Sequence, residues 1–273
     1  MIPTPQERER TRQTIATMSR KLMLSSHVAE LCQIEATPRQ EEFLLKVLSE
    51  EIDRRERSKK TRLLNRAGFP VFKSFEEYDF SEIRFPPALS KEDLLRADFI
   101  PEKKNLVLYG GVGTGKTHMA IALGIAACEK GLSVRFFTVT ELVLKLTEAY
   151  KAGTLERLIR DLQQLDLLIL DEWGYVPVDR EGSQLLFRII ADSYESKSLI
   201  LTTNLEFSKW GGIFTDEQMA AAMIDRLVHH GHLLLFEARS YRMMHALMRQ
   251  PGPGKVKPTT PAFANTRLEE GGE

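Results

Sequence analysis

The chain has 273 residues, 42% of them hydrophobic, and its 38 Lys plus Arg balance 38 Asp plus Glu, so the formal net charge is zero. That is enough chain for one full α/β domain with a smaller accessory segment and a sizeable buried core. The neutral total argues against a protein that is basic over its whole surface and leaves local patches open.

The two cysteines, Cys32 and Cys128, lie far apart in apolar helical patterns. They lack the paired spacing of a metal or redox site and read as reduced, partly buried thiols. No apolar run approaches membrane-spanning length, and the first residues lack the apolar core of a signal peptide. These features predict a soluble, cytoplasmic protein with no membrane partner.

In chain order, the first 70 residues read as helical. Ile15, Met18, Leu22 and Met23 recur at helical spacing in a polar, basic background. Thr37-Pro38-Arg39-Gln40 predicts a helix start: Thr37 caps, Pro38 takes the first position, and Gln40 stands where a capping-box partner belongs. The helix that follows carries Phe43, Leu44, Val47, Leu48 and Ile52 on one side and is expected to stop at Gly68-Phe69-Pro70. Along it the charge turns basic, through Arg54, Arg55, Arg57, Lys59, Lys60, Arg62 and Arg66, with Glu56 as the acidic neighbour. Such a run reads either as a solvated helix face or as a surface for the phosphate backbone of DNA, with Arg54, Arg55, Lys59 and Lys60 as the candidate contacts.

Residues 71–104 are aromatic and proline-containing, which predicts a linker wrapping onto the next domain. From Asn105 short apolar runs alternate with amphipathic stretches. Strands are expected at Leu106–Tyr109, Val134–Thr138, Leu167–Asp171, Leu199–Thr203 and Leu233–Phe236, and helices starting near Lys116, Thr140, Leu155, Gly182 and Asp216. Buried strands alternating with helices imply a parallel sheet covered on both faces. The core is expected to span 105–249, and residues 250–273, rich in Pro, Gly and polar groups, are expected to be disordered.

Two motifs carry chemistry. Gly110-Gly111-Val112-Gly113-Thr114-Gly115-Lys116-Thr117 fits the phosphate-binding pattern and sits between a predicted strand and a helix that opens with Lys116 and His118. Glycines let the backbone turn its N–H groups around phosphates, and the helix presents the positive end of its dipole. Lys116 can reach the β- and γ-phosphates of ATP, and Thr117 can ligate Mg²⁺. Leu167 to Leu170 then lead into Asp171 and Glu172. Asp171 at a strand's carboxyl end suits a hold on Mg²⁺, and Glu172 suits orienting or deprotonating the attacking water. Asn204, ending the next apolar strand, would lie beside the acidic strand, although Thr202-Thr203-Asn204 also reads as an ordinary turn. Arg226 and Arg242 read either as stabilisers of transition-state charge or as surface ion-pair partners.

The stretch Ser74-Phe75-Glu76-Glu77-Tyr78-Asp79-Phe80, then TGKTHMAIALG (114–124), DEWGY (171–175), LILTTN (199–204), DRLVHHGH (225–232) and SYR (240–242), resembles the IstB-like branch of AAA+ ATPases. Those are transposition helpers of insertion sequences, related to the helicase loader DnaC and more distantly to the initiator DnaA. The resemblance covers roughly residues 10 to 250. It implies an α/β AAA+ phosphate-loop core without a lid domain, preceded by a small helical N-terminal domain that contacts DNA, a partner or a neighbouring subunit. Gly110 to Thr117 would be the Walker A loop, with His118 beside it among the nucleotide-binding residues, Asp171 with Glu172 the Walker B pair, Asn204 sensor 1, Arg226 an arginine finger acting across a subunit boundary, and Arg242 a sensor-2-like arginine. Phe75 to Phe80 would pack beside the adenine. The implied function is an ATPase that forms a ring or helical homo-oligomer on double-stranded DNA and assists a transposase. A DnaC-like loader of a replicative helicase is the runner-up, and an ATP-gated DNA scaffold with little turnover is a third reading.

Overall fold

In the computed structural model, residues 4–174, 179–212, 216–237 and 240–241 are described. Three helices come first: α1 (Pro5–Lys21), α2 (Ser26–Glu35) and α3 (Pro38–Ala67). A capping box starts α1, with the Thr4 N–H donating to the Glu7 carboxylate at 2.7 Å and the Glu7 N–H donating to the Thr4 hydroxyl at 3.3 Å. The expected box at α3 also forms, the Gln40 side chain accepting from the Thr37 N–H at 2.8 Å, and Gly68 ends that helix in the left-handed conformation at φ +77°.

Ile15, Leu22, Cys32, Leu48 and Ile52 form the core of this bundle, with Met18, Leu44 and Leu45 packed against it. Met23 departs from the helical expectation: it follows the end of α1 at φ +59° and is 92% exposed. Phe43 and Val47 also depart, standing exposed on α3 because the packed face is set by Leu44, Leu48 and Ile52.

Glu41, only 1% exposed, is the polar centre of the bundle. It pairs with the Arg8 and Arg12 guanidinium groups, each at 2.7 Å, and Arg8 also donates to the Ala36 carbonyl at 3.1 Å. The hydrogen bond from Arg8 foremost holds the Glu41 carboxyl below its ordinary value of 4.5. A depressed acid contributes its stability above its unfolded pKa and loses it as pH falls towards the folded one. Breaking a buried pair costs about 3–5 kcal/mol, reduced here to about 2–3 because both arginines keep some water. Urea unfolding of Glu41→Ala at pH 7 is expected to show that loss, together with a weaker acid sensitivity below pH 4.5 than the unsubstituted chain. An unchanged midpoint would place the bundle's stability elsewhere.

The second body is a six-stranded sheet. Its elements in chain order are β1 (Ile83–Arg84), α4 (Lys91–Leu95), β2 (Asn105–Gly110), α5 (Lys116–Glu129), β3 (Val134–Thr138), α6 (Val139–Lys151), α7 (Leu155–Gln163), β4 (Leu167–Trp173), α8 (Arg180–Ser193), β5 (Ser198–Thr203), a 3-10 turn (Phe207–Gly212), α9 (Glu217–His229) and β6 (Gly231–Phe236). The strand order is β1-β6-β2-β5-β4-β3, with every neighbouring pair parallel except β1 against β6.

The expected parallel sheet forms, with an antiparallel edge added to it. That edge comes from the segment expected to be a linker, which adds β1 to the sheet and buries Leu89, Leu94, Phe99 and Ile100 in the core. Two residues of strand are too short to show an alternation in sequence.

The central strands are apolar on both faces, as helices on both sides require. One face is covered by α5 and the end of α3, the other by α6, α7, α8 and α9. Helix α3 therefore serves two cores, since Leu48 and Ile52 lie in the bundle and Ala67 lies in the sheet's. Cys32 and Cys128 are both buried free thiols, and burial pushes the Cys128 thiol up to about 11. Among the described residues no helix is long and apolar enough to cross a membrane.

The chain leaves β2 and crosses to β3 at the far edge, while β6 returns on the other side of β2. A crevice opens beyond the carboxyl end of a strand where the winding changes direction, which makes the end of β2 the natural place for a ligand.

Candidate functional site

The loop Gly110 to Gly115 occupies that place, joining β2 to the 14-residue helix α5. Gly113 and Gly115 take φ of +79° and +96°, where a side chain would be strained. A Cβ on Gly113 would also come within 2.3 Å of the Ser240 hydroxyl. The Lys116 ammonium folds over the loop and donates to the Gly110 and Gly111 carbonyls at 2.8 and 2.6 Å. A cation and a helix N-terminus thus meet above a bend of backbone amides, a setting for phosphate.

As the second residue of α5, Thr117 donates to Asp171, its hydroxyl lying 2.9 and 3.1 Å from the two carboxylate oxygens. Asp171 is 4% exposed, whereas Glu172 next to it is exposed. The contrast comes from the backbone. Leu170 pairs with Leu201 and Trp173 with Thr203, so Asp171 and Glu172 together oppose the single residue Thr202. This is a β-bulge, and Glu172 adopts φ +61° within it.

Side-chain alternation records the same event. Leu167 and Ile169 face one core, Leu168 and Leu170 the other, and Trp173 joins Leu168 and Leu170 although simple alternation would send it to the opposite side. The extra residue turns Glu172 out of the sheet at the carboxyl end of β4.

Thr202 was not singled out by sequence, yet it contacts both bulged residues. Its hydroxyl donates to Asp171 Oδ1 and accepts the Glu172 N–H at 3.1 Å. The signal available in sequence was a pair of threonines, Thr202 and Thr203, closing an otherwise apolar strand. Asn204 is exposed and follows directly after β5, the strand between β2 and β4.

The aromatic segment also reaches the loop. Tyr78 donates to the Gly115 carbonyl at 3.1 Å, and its ring lies 4.9 Å from that of His118. His118 Nε2 donates to the Ser74 carbonyl at 2.7 Å, the tautomer being fixed by that acceptor. Burial pushes the Tyr78 phenol well above its ordinary value, so it stays a donor at neutral pH. From the other side, the Tyr241 N–H donates to the Gly113 carbonyl at 3.0 Å. Arg242 lies outside the described residues, as do Tyr175 of the DEWGY motif and residues 250–273.

Arg226 is not brought to the loop. It lies on α9 beside Leu227, whose carbonyl accepts from the Asn105 side chain at 3.4 Å, and Asn105 starts β2 while Gly110 ends it. Its guanidinium lies 5.1 Å from the centre of the Phe187 ring and donates to the Ala222 carbonyl at 3.3 Å. The basic run lies on the exposed face of α3. Arg55 is engaged there, donating to Glu51 at 2.7 Å and to the Leu22 carbonyl at 3.2 Å, while Arg54, Lys59 and Lys60 stand exposed.

The Thr117 hydroxyl and the Asp171 carboxylate are hard oxygen donors held in contact beside the loop. They fit Mg²⁺, an ion that takes one or two protein oxygens and completes its shell with water and phosphate.

The family model described as IstB-like ATP binding protein matches residues 19–248. A protein of insertion sequence IS21 from Pseudomonas aeruginosa, named for ATP binding, is 36% identical over 255 residues, covering 91% of this chain and 93% of its own length. A similarly named protein of insertion sequence IS232 from Bacillus thuringiensis subsp. berliner is 36% identical over 205 residues, covering 74% and 81%. Among solved structures, the DnaC helicase loader aligns with a TM-score of 0.44 at 23% identity, covering 64% of this chain and 98% of that one. The replication initiator DnaA, solved with AMPPCP and single-stranded DNA, aligns with a TM-score of 0.45 at 22% identity, covering 55% and 48%.

Proposed function

We propose that this chain, which belongs to the family of IstB-like ATP binding proteins, is a cytoplasmic ATPase that assembles on duplex DNA and assists the transposase of an insertion sequence. The observation that carries the hydrolytic part is the convergence of Lys116, Thr117, Asp171 and Glu172 at the carboxyl ends of β2 and β4, with the bulge turning Glu172 towards solvent.

Lys116 exchanges its loop carbonyls for the β- and γ-phosphates, and the Gly110–Gly115 amides and the start of α5 hold the remaining charge. Thr117 and Asp171 hold Mg²⁺, which when bound neutralises phosphate charge. Glu172 orients the attacking water and accepts its proton, with Asn204 alongside as a polar contact to the water or the γ-phosphate. Tyr78 and His118 brace the loop from the side where the base would lie. Arg226 serves the site of an adjacent subunit, which makes hydrolysis depend on assembly. The relatives' names point to insertion sequences, and that supports the transposition setting over helicase loading.

DNA contact is proposed for the exposed face of α3. Each neutralised phosphate contributes about 0.9 to the slope of log affinity against log salt. Reversing the charge of Arg54, Lys59 and Lys60 together is therefore expected to reduce that slope by about 2–3 on duplex DNA in the presence of ATP. An unchanged slope and affinity would remove this face from DNA binding, and capture of a replicative helicase in place of a transposase would reverse the choice of partner.

A further inference from the structure

We propose that Thr202 is a positioning residue that couples the magnesium ligand Asp171 to the water-facing carboxylate Glu172 through a single hydroxyl. The inference rests on the ATPase reading of the site and names a residue that reading does not use.

Thr202 is 2% exposed on β5, between β2 and β4. It follows the buried apolar run Leu199, Ile200 and Leu201, and the hydroxyl of the next residue, Thr203, is occupied by the Trp173 carbonyl. A hydroxyl in such a place needs partners, since desolvating it alone costs about 1–3 kcal/mol. Both partners come from the bulge. The hydroxyl proton goes to Asp171 Oδ1, and the oxygen accepts the Glu172 N–H.

Each bond has a separate consequence. The bond to Oδ1, together with the two contacts from Thr117, fixes the rotation of the Asp171 carboxylate. The carboxylate that would hold Mg²⁺ is then oriented before nucleotide arrives. The bond from the Glu172 N–H satisfies a donor at the point where the β4–β5 ladder is interrupted, and it holds a non-glycine residue at φ +61°. Losing the hydroxyl frees both groups at once. Threonine and valine have nearly the same shape, so what the substitution removes is the hydroxyl's two hydrogen bonds and little packing.

The test compares the full chain with Thr202→Val and Thr202→Ser, measuring affinity for a fluorescent ATP analogue in EDTA and in excess Mg²⁺, with thermal unfolding alongside. Residues that orient a metal ligand change metal affinity by about 10–100-fold when removed, so Thr202→Val is expected to keep its EDTA affinity within about twofold and lose about tenfold of the Mg²⁺-dependent gain. Thr202→Ser is expected to restore most of that gain because it keeps the hydroxyl. If the unsubstituted chain gains nothing from Mg²⁺, the ATPase reading and this inference fall together. If it gains and Thr202→Val gains equally, this inference alone is overturned. Equal loss in EDTA and Mg²⁺, or no rescue by serine, would make the hydroxyl structural only and overturn it as well.

Discussion

Glu172→Gln should bind ATP as the unsubstituted chain does and turn it over about 10²–10⁴ times more slowly, the range a positioned general base supplies. Glutamine keeps the length and shape of the side chain and can still hydrogen-bond a water, but it cannot take a proton from one. The backbone at Glu172 is held by Thr202 and by the bulge, neither of which involves the carboxylate, so the substitution leaves the site's frame in place. Asp171→Asn should behave differently. Its carboxylate accepts from Thr117 and Thr202, and losing that charge should weaken magnesium-dependent nucleotide binding along with turnover. Single-turnover phosphate release, measured beside equilibrium binding of an ATP analogue, separates the two. Equal turnover by Glu172→Gln and the unsubstituted chain would remove Glu172 from the mechanism.

What could be read in advance follows from where the information lies along the chain. The phosphate loop is contiguous: its glycines, Lys116 and Thr117 are all needed within eight positions, so one stretch of sequence predicts both its chemistry and its place between strand and helix. The capping box at Thr37 and Gly68's role as a stop are legible for the same reason. Met23 was misplaced because helical spacing indicates which residues share a face, not where hydrogen bonding ends, and α1 stops at Lys21. Phe43 and Val47 share the period of Leu44 and Leu48 closely enough to be read with them, and only the position of α1 decides which of the four is covered. The bulge was illegible for a deeper reason. It exists only in the pairing of β4 with β5, two strands separated by a helix, so no local pattern announces that Asp171 and Glu172 must share one partner. Thr202 became visible only with that register.

Arg226→Ala is expected to lower turnover by about 10³-fold, the lower end of what an arginine supplied from a neighbouring subunit contributes, while costing about 0.5–2 kcal/mol of stability, because its cation–π contact with Phe187 is partly buried. The fold makes the first half of that expectation depend on a second molecule. Arg226 sits beside the start of β2, and the phosphate loop follows its sixth residue, roughly 17 Å away at the usual rise per residue. An arginine side chain does not span that distance along its own sheet. It is nevertheless pre-set, with its guanidinium stacked on Phe187 and tied to the Ala222 carbonyl, and so less conformational entropy remains to be lost when a partner arrives. Complementation distinguishes the two geometries. Arg226→Ala retains Lys116, Asp171 and Glu172 but has no arginine to offer, whereas Glu172→Gln offers its arginine and has no base. Mixed in equal amounts with DNA and ATP, two nearly inactive proteins should form boundaries at which an intact Glu172 site meets an intact Arg226, and activity should return. If Arg226→Ala alone keeps full turnover, the arginine has no part in the reaction. If turnover falls and mixing restores nothing, Arg226 acts within its own subunit through the fold, and hydrolysis would then no longer report assembly on DNA.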